Sequence, residues 1–509
     1  MNTQNKYNVI MKFGGSCLSQ PEDFSQIKQI LTSYFKKESK PTTIIVVVSA
    51  LKGVTDLLIE LTHLASTGCD HQVIARIKKI EEIHEQFIDN LFEESLKVTN
   101  SAKGELQGIL HDLSTVLEEV AEFGIVPYFI DYIMSFGEKL CATLVNLFLS
   151  QENFSSKVFF GEDLIITNSE YNKAVPDLEH TRARIIQKIV PLLDNNWNHQ
   201  ILVITGFIGR NEIGYTTTLG RGGSDFTATI IARMLHDAQK FENGRIILWK
   251  DVPGVLSGNP EYIQAPHLIS RLNYTEAKEI AVLGAKILHP KCISIIENQQ
   301  IPIELRAFRQ PESSEFTLIS SSKVSLPIKG IEIDANAYLI ILESPFLFHE
   351  MAFMQELFSF CNHNKLQLSL LQQSYSQNRL LISTIDIDMK EKLKKFQKNG
   401  HIPEEWLQIY AQPAGIITII TDQKHQAEII AKIGKILQHS GISAHGILQD
   451  YQGITVSVVV PRINVTEIAN AINLSYSLGN HQNQNLNNQD QKSNNSTIPQ
   501  QNEKKEEII

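Results

Sequence analysis

Over the first 320 or so residues, short apolar runs rich in β-branched side chains ("YNVIMKF", "TTIIVVVSA", "ILVITGFIG", "RIILW") are separated by stretches of helical period. In one such stretch, "DFSQIKQILTSYF", Phe24, Ile27, Ile30, Leu31 and Tyr34 fall on one face. A strand that is apolar at nearly every position must be buried on both sides, and strands alternating with helices are joined by crossovers. The pattern therefore predicts an α/β domain over 1–320, a mostly parallel sheet sandwiched by helices. Residues 71 to 122 are helical in period with no strand signal, and predict an inserted helical hairpin with a packing role.

Between residues 326 and 477 the elements become smaller. "GIEIDANAYLIIL", an amphipathic stretch, "LQLSLL", "RLLISTI" and "MKEKLKKFQ" are followed by "GIITII", "HQAEIIAKIGKILQHSG", "ISAHGIL", "ITVSVVV" and "VTEIANAIN". This order predicts two small α+β modules, 326–408 and 409–477, each of β-α-β-β-α type. The remaining segment, 478–509, is dominated by Asn and Gln and predicts a disordered tail.

A formal charge of −10 on 509 residues argues against a general polyanion binder, so nucleic acid is not an expected partner. The five cysteines include no C-x-x-C pair, which fits a reducing compartment and offers neither a zinc site nor a disulfide framework. The first residues lack an apolar stretch behind a basic region, and no run reaches the length needed to cross a bilayer. A cytoplasmic protein without a membrane partner is the expectation.

Glycine-rich loops mark the places where chemistry can sit. In "MKFGGSCLSQPEDF" a strand carries Lys12 into Gly14, Gly15 and Ser16, and Ser19 with Glu22 reads as a capping box. Bare N–H groups at such a turn suit phosphate oxygens. The spacing matches neither the Walker nor the dinucleotide fingerprint. In "VVVSALKGVTDLLIEL", Ser49 and Thr55 lie on the next strand-to-helix loop, with helix capping an equal reading for Thr55. Ser135 and Glu138 of "MSFGEKL" read as another capping box. "TLGRGGSDFTATIIARML" follows the strand "ILVITGFIG" and leads into a helix with Phe226, Ile230 and Met234 on one face. A plain turn does not need three glycines together with Arg221 and Asp225, so this loop is the strongest site candidate. "RIILWKDVPGV" supplies Lys250 and Asp251, and "LGAKILHPKCI" supplies Lys286. No metal-ligand spacing appears, and His289 reads as structural.

Taken in order, "KFGGS", "VVSALKGVTD", "SFGEKL", "TGFIG", "TLGRGGSDFTA", "WKDVPGV" and "GAKILHP" make the chain resemble the aspartokinase family of the amino-acid kinase fold, over roughly residues 7 to 477. The small modules resemble ACT domains, which are ferredoxin-like. The resemblance implies transfer of phosphate from ATP, with Mg2+, to the side-chain carboxylate of L-aspartate. That gives 4-phospho-L-aspartate, at the entry to lysine, threonine and methionine synthesis. It also implies an amino-acid effector, lysine or threonine, and a homo-oligomer, dimer or tetramer.

By the same resemblance, Lys12, Asp225 and Lys286 form the catalytic set, and Ser49, Thr55, Glu138, Arg221 and Ser224 the amino-acid pocket. Gly14, Gly15, Ser16, Gly222, Gly223, Lys250, Asp251, Leu256, Glu261 and Ile287 join Lys12 and Lys286 at the nucleotide. Where the family usually has Tyr and then Asp-Pro-Arg after "WKDVPGV", this chain has Leu256, Asn259, Pro260 and Glu261. "QQS" at Gln372–Ser374 and "QDYQGI" replace the family's patterns in the small modules. A kinase of another small amino acid on this fold, and a non-catalytic amino-acid sensor, are alternatives that the residues leave open.

Overall fold

The computed structural model describes residues 9–37, 43–194, 200–283, 287–322, 326–344, 351–365, 368, 370–374, 379–384, 386–400, 405–450 and 452–476. The expected disordered tail, 478–509, and Lys286 lie outside them. The chain divides into two compact units, Met1–Leu256 with Leu268–Val324, and Ser257–His267 with Ser325–Ile509.

The first unit contains the strands β1 (Val9–Phe13), β2 (Thr43–Val48), β3 (Ser155–Phe159), β4 (Ile166–Thr167), β5 (Gln200–Thr205), β6 (Ile208–Asn211), β7 (Thr216–Thr218), β8 (Arg245–Lys250), β9 (Arg271–Leu272), β10 (Ile303–Ala307) and β11 (Phe316–Ile319). Eight of them form one sheet in the order β3-β5-β2-β1-β8-β10-β11-β9, and β4-β6-β7 form a small second sheet. From β3 to β10 every neighbouring pair is parallel, and β11 runs antiparallel to β10. Every residue of β1, β2 and β5 is buried, as unbroken apolar runs require.

The register aligns Phe13 of β1 with Val48 of β2 and with Trp249 of β8, so these strands end level with one another. The chain leaves β1 for β2 on one side and returns as β8 on the other. The crevice at this reversal, beyond the carboxyl ends of the strands, is where open α/β sheets hold ligands.

The expected hairpin is present as helices Asp70–Leu91 and Leu96–Phe123, with Ile80, Phe87, Leu106, Leu113 and Val120 in the main core. Helix Pro127–Gln151 corrects the reading that nothing here is apolar enough to span a bilayer. By length and composition it qualifies, but 72% of its apolar window is buried inside the protein. Phe129, Ile133, Phe136, Leu140 and Phe148 spend that apolarity on the main core.

The first capping box also differs from expectation. Asp23 rather than Glu22 accepts from Ser19 N and Oγ, at 2.8 and 3.0 Å, and its other oxygen pairs with Arg309 Nη1 at 2.6 Å. A fully buried carboxylate with a guanidinium partner wins that position over an exposed one.

Helix Gly223–Asp237 reaches the sheet closely because Gly206, just past β5, has no side chain. A Cβ there would lie 2.4 Å from Ser224 Cβ and 2.8 Å from Ser224 Cα. Gly206→Ala is therefore expected to destabilise the fold by about 1–3 kcal/mol through overpacking. The check is a lowered urea midpoint at unchanged m-value.

The second unit holds β12 (Gly330–Asp334), β13 (Tyr338–Glu343), β14 (Leu370–Ser374), β15 (Arg379–Thr384), β16 (Gln408–Ile420), β17 (Gly446–Gln449) and β18 (Thr455–Pro461). The thirteen residues of β16 serve two antiparallel sheets. Gln408–Pro413 pair with β13 in the order β14-β15-β13-β16, and Ala414–Ile420 pair with β18, flanked by β12 on the other side. Each sheet has four strands in ferredoxin-like order, and helices Met351–His363, Met389–Asn399, Gln426–Ser440 and 465–476 accompany them. The modules are nested rather than consecutive, since "GIEID", at the start of the expected first module, completes the sheet of the second. Their cores are separate, one around Ile417, Ile433 and Val458, the other around Ile340, Leu357 and Leu393.

Candidate active site

At the carboxyl ends of β1, β2 and β5 lies a hollow of about 640 Å³, lined entirely by the first unit. Two of its lining residues, Lys12 and Asp225, form a charged cluster with Lys250. Lys12 Nζ is 2.7 Å from Asp225 Oδ1, and Lys250 Nζ is 2.7 Å from Asp225 Oδ2. Lys12 is the penultimate residue of β1, Lys250 ends β8, and Asp225 stands in the first turn of helix Gly223–Asp237. Burial alone would push the Asp225 carboxyl up, but the two ammonium groups outweigh it and hold the group at about 2. The cluster keeps a net positive charge even though it is buried.

Glu138 shows the opposite balance. Its side chain enters the hollow from the middle of helix Pro127–Gln151, 4% exposed, and burial drives its carboxyl up to about 8 against the Ala50 N–H and the Lys12 charge. Oε2 has no hydrogen-bond partner among the described residues. The capping reading for Ser135 and Glu138 is thus wrong. The helix begins eight residues earlier, at Pro127, and Ser135 Oγ donates to Tyr132 O inside it. Thr55 is likewise not a cap. Gly53, left-handed at φ 87°, occupies the cap position of helix Val54–Ser66 without any side-chain bond, and Thr55 faces the hollow.

Ser49 Oγ donates to Ser224 Oγ at 2.9 Å, joining the β2 loop to the helix. Arg221, exposed, stands at the edge of the hollow between Gly220 and Gly222, whose φ values are +70° and +71°. The glycines of "GRGGSD" serve the loop's own packing. A Cβ on Gly222 would lie 2.9 Å from His289 Cβ, and one on Gly223 would lie 2.6 Å from the Phe207 ring. The loop is also held from behind, where Lys291 Nζ donates to Leu219 O at 2.5 Å. His289 Nδ1 caps helix Pro290–Ser294, the structural role expected of it.

The structure brings Lys12, Gly15, Ser16, Ser49, Thr55, Glu138, Arg221, Gly222, Gly223, Ser224 and Asp225 to one hollow. Gly14 lies beside it, where a Cβ would come 3.0 Å from Lys12 Nζ, and Lys250 joins through Asp225. Asp251 follows Lys250 at the end of β8, Leu256 forms a bridge with Leu268, and Ile287 occupies a turn before His289. Glu261 belongs to the second unit, where its N–H donates to Asn259 Oδ1. Lining residues that sequence reasoning missed include Lys52, Asp56, Met134, Asn172, Phe207, Thr218 and Gly220. All but Asn172 sit inside or beside a motif already singled out, so adjacency was the usable signal.

The amino acid kinase family pattern matches residues 8–306, which include strands β1 to β9, all but the last residue of β10, and the whole hollow. The chain belongs to the amino acid kinase family. This amino acid kinase is 28% identical over 377 residues to lysine-sensitive aspartokinase 3 of Escherichia coli, covering 74% of this chain and 78% of that protein. Its fold is similar to that of E. coli aspartokinase III in complex with aspartate and ADP (R-state), with a TM-score of 0.70 and 21% identity over 91% of this chain and 98% of the other. The same relative in complex with lysine and aspartate (T-state) gives a TM-score of 0.73 over 92% and 99%. The likeness in fold to these two structures therefore spans residues of both units.

Proposed function

We propose that this chain is an aspartate kinase, transferring the γ-phosphoryl group of Mg-ATP to the side-chain carboxylate of L-aspartate. The observation that carries the reading is the Lys12–Asp225–Lys250 cluster beside the unpaired oxygen of Glu138 and the guanidinium of Arg221, all in reach of one hollow. The similarity to aspartokinases over most of the chain supports it.

The acceptor has an ordinary pKa near ~3.9 and is already ionised at neutral pH, so no general base is needed. The obstacle is repulsion. Two like charges about 4 Å apart repel by roughly 4 kcal/mol at an effective dielectric of about 20. Lys12 and Lys250, joined by Lys286, offset that charge at the transferring group, and the N–H groups of Gly15 and Ser16 at the start of their short turn add dipoles. Gly14, Gly222, Gly223, Asp251, Leu256 and Ile287 border the nucleotide. Asp225 holds the two lysines in place and abstracts no proton.

Arg221 forks onto the α-carboxylate, Glu138 takes the ammonium, and Ser49, Thr55 and Ser224 complete the amino-acid pocket. Arg221→Lys is expected to raise the aspartate KM about tenfold or more with ATP affinity nearly unchanged, because an ammonium cannot replace the fork. Steady-state kinetics with each substrate varied in turn checks this, and an unchanged aspartate KM removes Arg221 from the pocket.

Incubation with Mg-ATP, aspartate and hydroxylamine traps the acyl phosphate as a hydroxamate. Hydroxamate from aspartate is the expected result. Product from glutamate alone, or ligand binding without turnover of any acid, overturns the reading. Lysine and threonine titrated into the same assay identify the effector of the small modules. A cytoplasmic homo-oligomer completes the reading.

A further inference from the structure

Asp131 stands seven residues before Glu138 on helix Pro127–Gln151, two turns away, so the two carboxylates share a side of that helix. It is fully buried, and among the described residues no Lys, Arg or His pairs with it. Its partners are donors from two separate segments. Both of its oxygens lie 3.0 Å from Asn172 N, Oδ2 is 2.6 Å from Thr218 N, and Oδ1 is 3.0 Å from Thr218 Oγ1.

A buried carboxylate without a counter-ion is a poor way to stabilise a core, and what it secures here is the placement of two backbone amides. The same segments are joined again where Ala174 N donates to Thr218 O at 2.9 Å. They also meet where a Cβ on Gly220 would lie 2.7 Å from Asn172 O. Asn172, Thr218 and Gly220 line the hollow that Glu138 enters.

We infer that Asp131 is a positioning residue: its contacts to Asn172 and Thr218 fix one wall of the amino-acid pocket relative to the Glu138 helix, and so set the length of diacid the pocket accepts. This rests on the proposed aspartate kinase reading. One methylene is worth about 10–200-fold in discrimination when a pocket wall is rigid. A wall held through backbone amides cannot be restored by rotating a side chain, so loosening it admits the five-carbon acid.

The test compares the full-length wild type with Asp131→Asn, which turns one acceptor into a donor facing N–H groups, and Asp131→Glu, which keeps the charge but lengthens the arm. Aspartate and glutamate turnover are read as hydroxamate, and hydrogen exchange is followed by mass spectrometry. For Asp131→Asn the expected result is a tenfold or larger rise in aspartate KM and an ATP KM within twofold. The aspartate-over-glutamate ratio of kcat/KM should fall at least fivefold, with faster exchange confined to 168–175 and 216–222. Asp131→Glu should lie between, and it decides the matter if the Asn variant does not fold.

An unchanged ratio overturns the inference, as does a parallel rise in both KM values with faster exchange throughout, which marks a merely structural role. Should the wild type turn over neither acid, the kinase reading fails while the clamp is still judged by exchange. Loss of protection confined to the two segments then supports it, and unchanged protection overturns it.

Discussion

Replacing Lys12 with methionine is expected to lower kcat about a thousandfold, with the aspartate KM changed far less. Roughly 4 kcal/mol of repulsion between an incoming carboxylate and the phosphoryl oxygens corresponds to about three orders of magnitude in rate. Lys12 is the group best placed to offset it, buried at the end of a central strand and 2.7 Å from Asp225. Methionine keeps much of the stem and removes the charge, so the effect is not one of packing. Asp225 would then rest on Lys250 alone, and the remaining cluster would carry no net charge.

The same variant bears on acid stability. Asp225 has a folded value of about 2 against an ordinary 3.8, so its contribution is present above about pH 4 and is lost as pH falls towards 2. Without Lys12 the folded value rises, so that window narrows and less stability is lost across it, which an acid titration followed by circular dichroism measures. A kcat reduced less than tenfold would remove Lys12 from the chemistry.

Aspartate binding at pH 7 is expected to release close to one proton, and Glu138→Gln to abolish that release while weakening aspartate affinity on the order of a hundredfold at pH 8. In the empty pocket the Glu138 carboxyl keeps its proton up to about pH 8, and an ammonium placed against it favours the ionised form. Below pH 8 the wild-type affinity should therefore rise with pH, approaching tenfold per unit. The stability sign is the reverse of that for Asp225. The folded value is raised above the ordinary 4.5, so stability is greatest below about pH 4.5 and declines as pH rises to about 8, and the Gln variant should lose that slope. Calorimetry in buffers of different ionisation enthalpy counts the proton directly. Equal release by wild type and variant would assign the proton to another group.

Much of the site was legible because it depends on strand ends and the loops after them. Lys12, Ser49 and Lys250 lie at or just beyond runs whose unbroken apolarity marks buried parallel strands, and such loops converge at one edge of the sheet. Arg221 and Asp225 instead follow the short threonine strand β7 and were marked by the glycines around them. Glu138 was legible only as a residue, because S-x-x-E in mid-helix is locally the same string as a capping box. What separates them is the more than two turns of helix before Ser135, starting at Pro127. Asp131 and Asn172 gave no local signal, since their meaning is a contact across 41 residues. The nesting of the small modules was hidden for the same reason. Which strand "GIEID" joins is decided by pairing with Ile416–Ile420, more than eighty residues later, and nothing in the five residues records it.

That nesting limits how the second unit of such a protein can be rearranged. Strand β16 is an edge strand of one small sheet and an inner strand of the other. A gene truncated before residue 408 would leave both sheets incomplete, and neither half can be grafted onto another enzyme, or lost by a simple deletion, without carrying off part of its sibling.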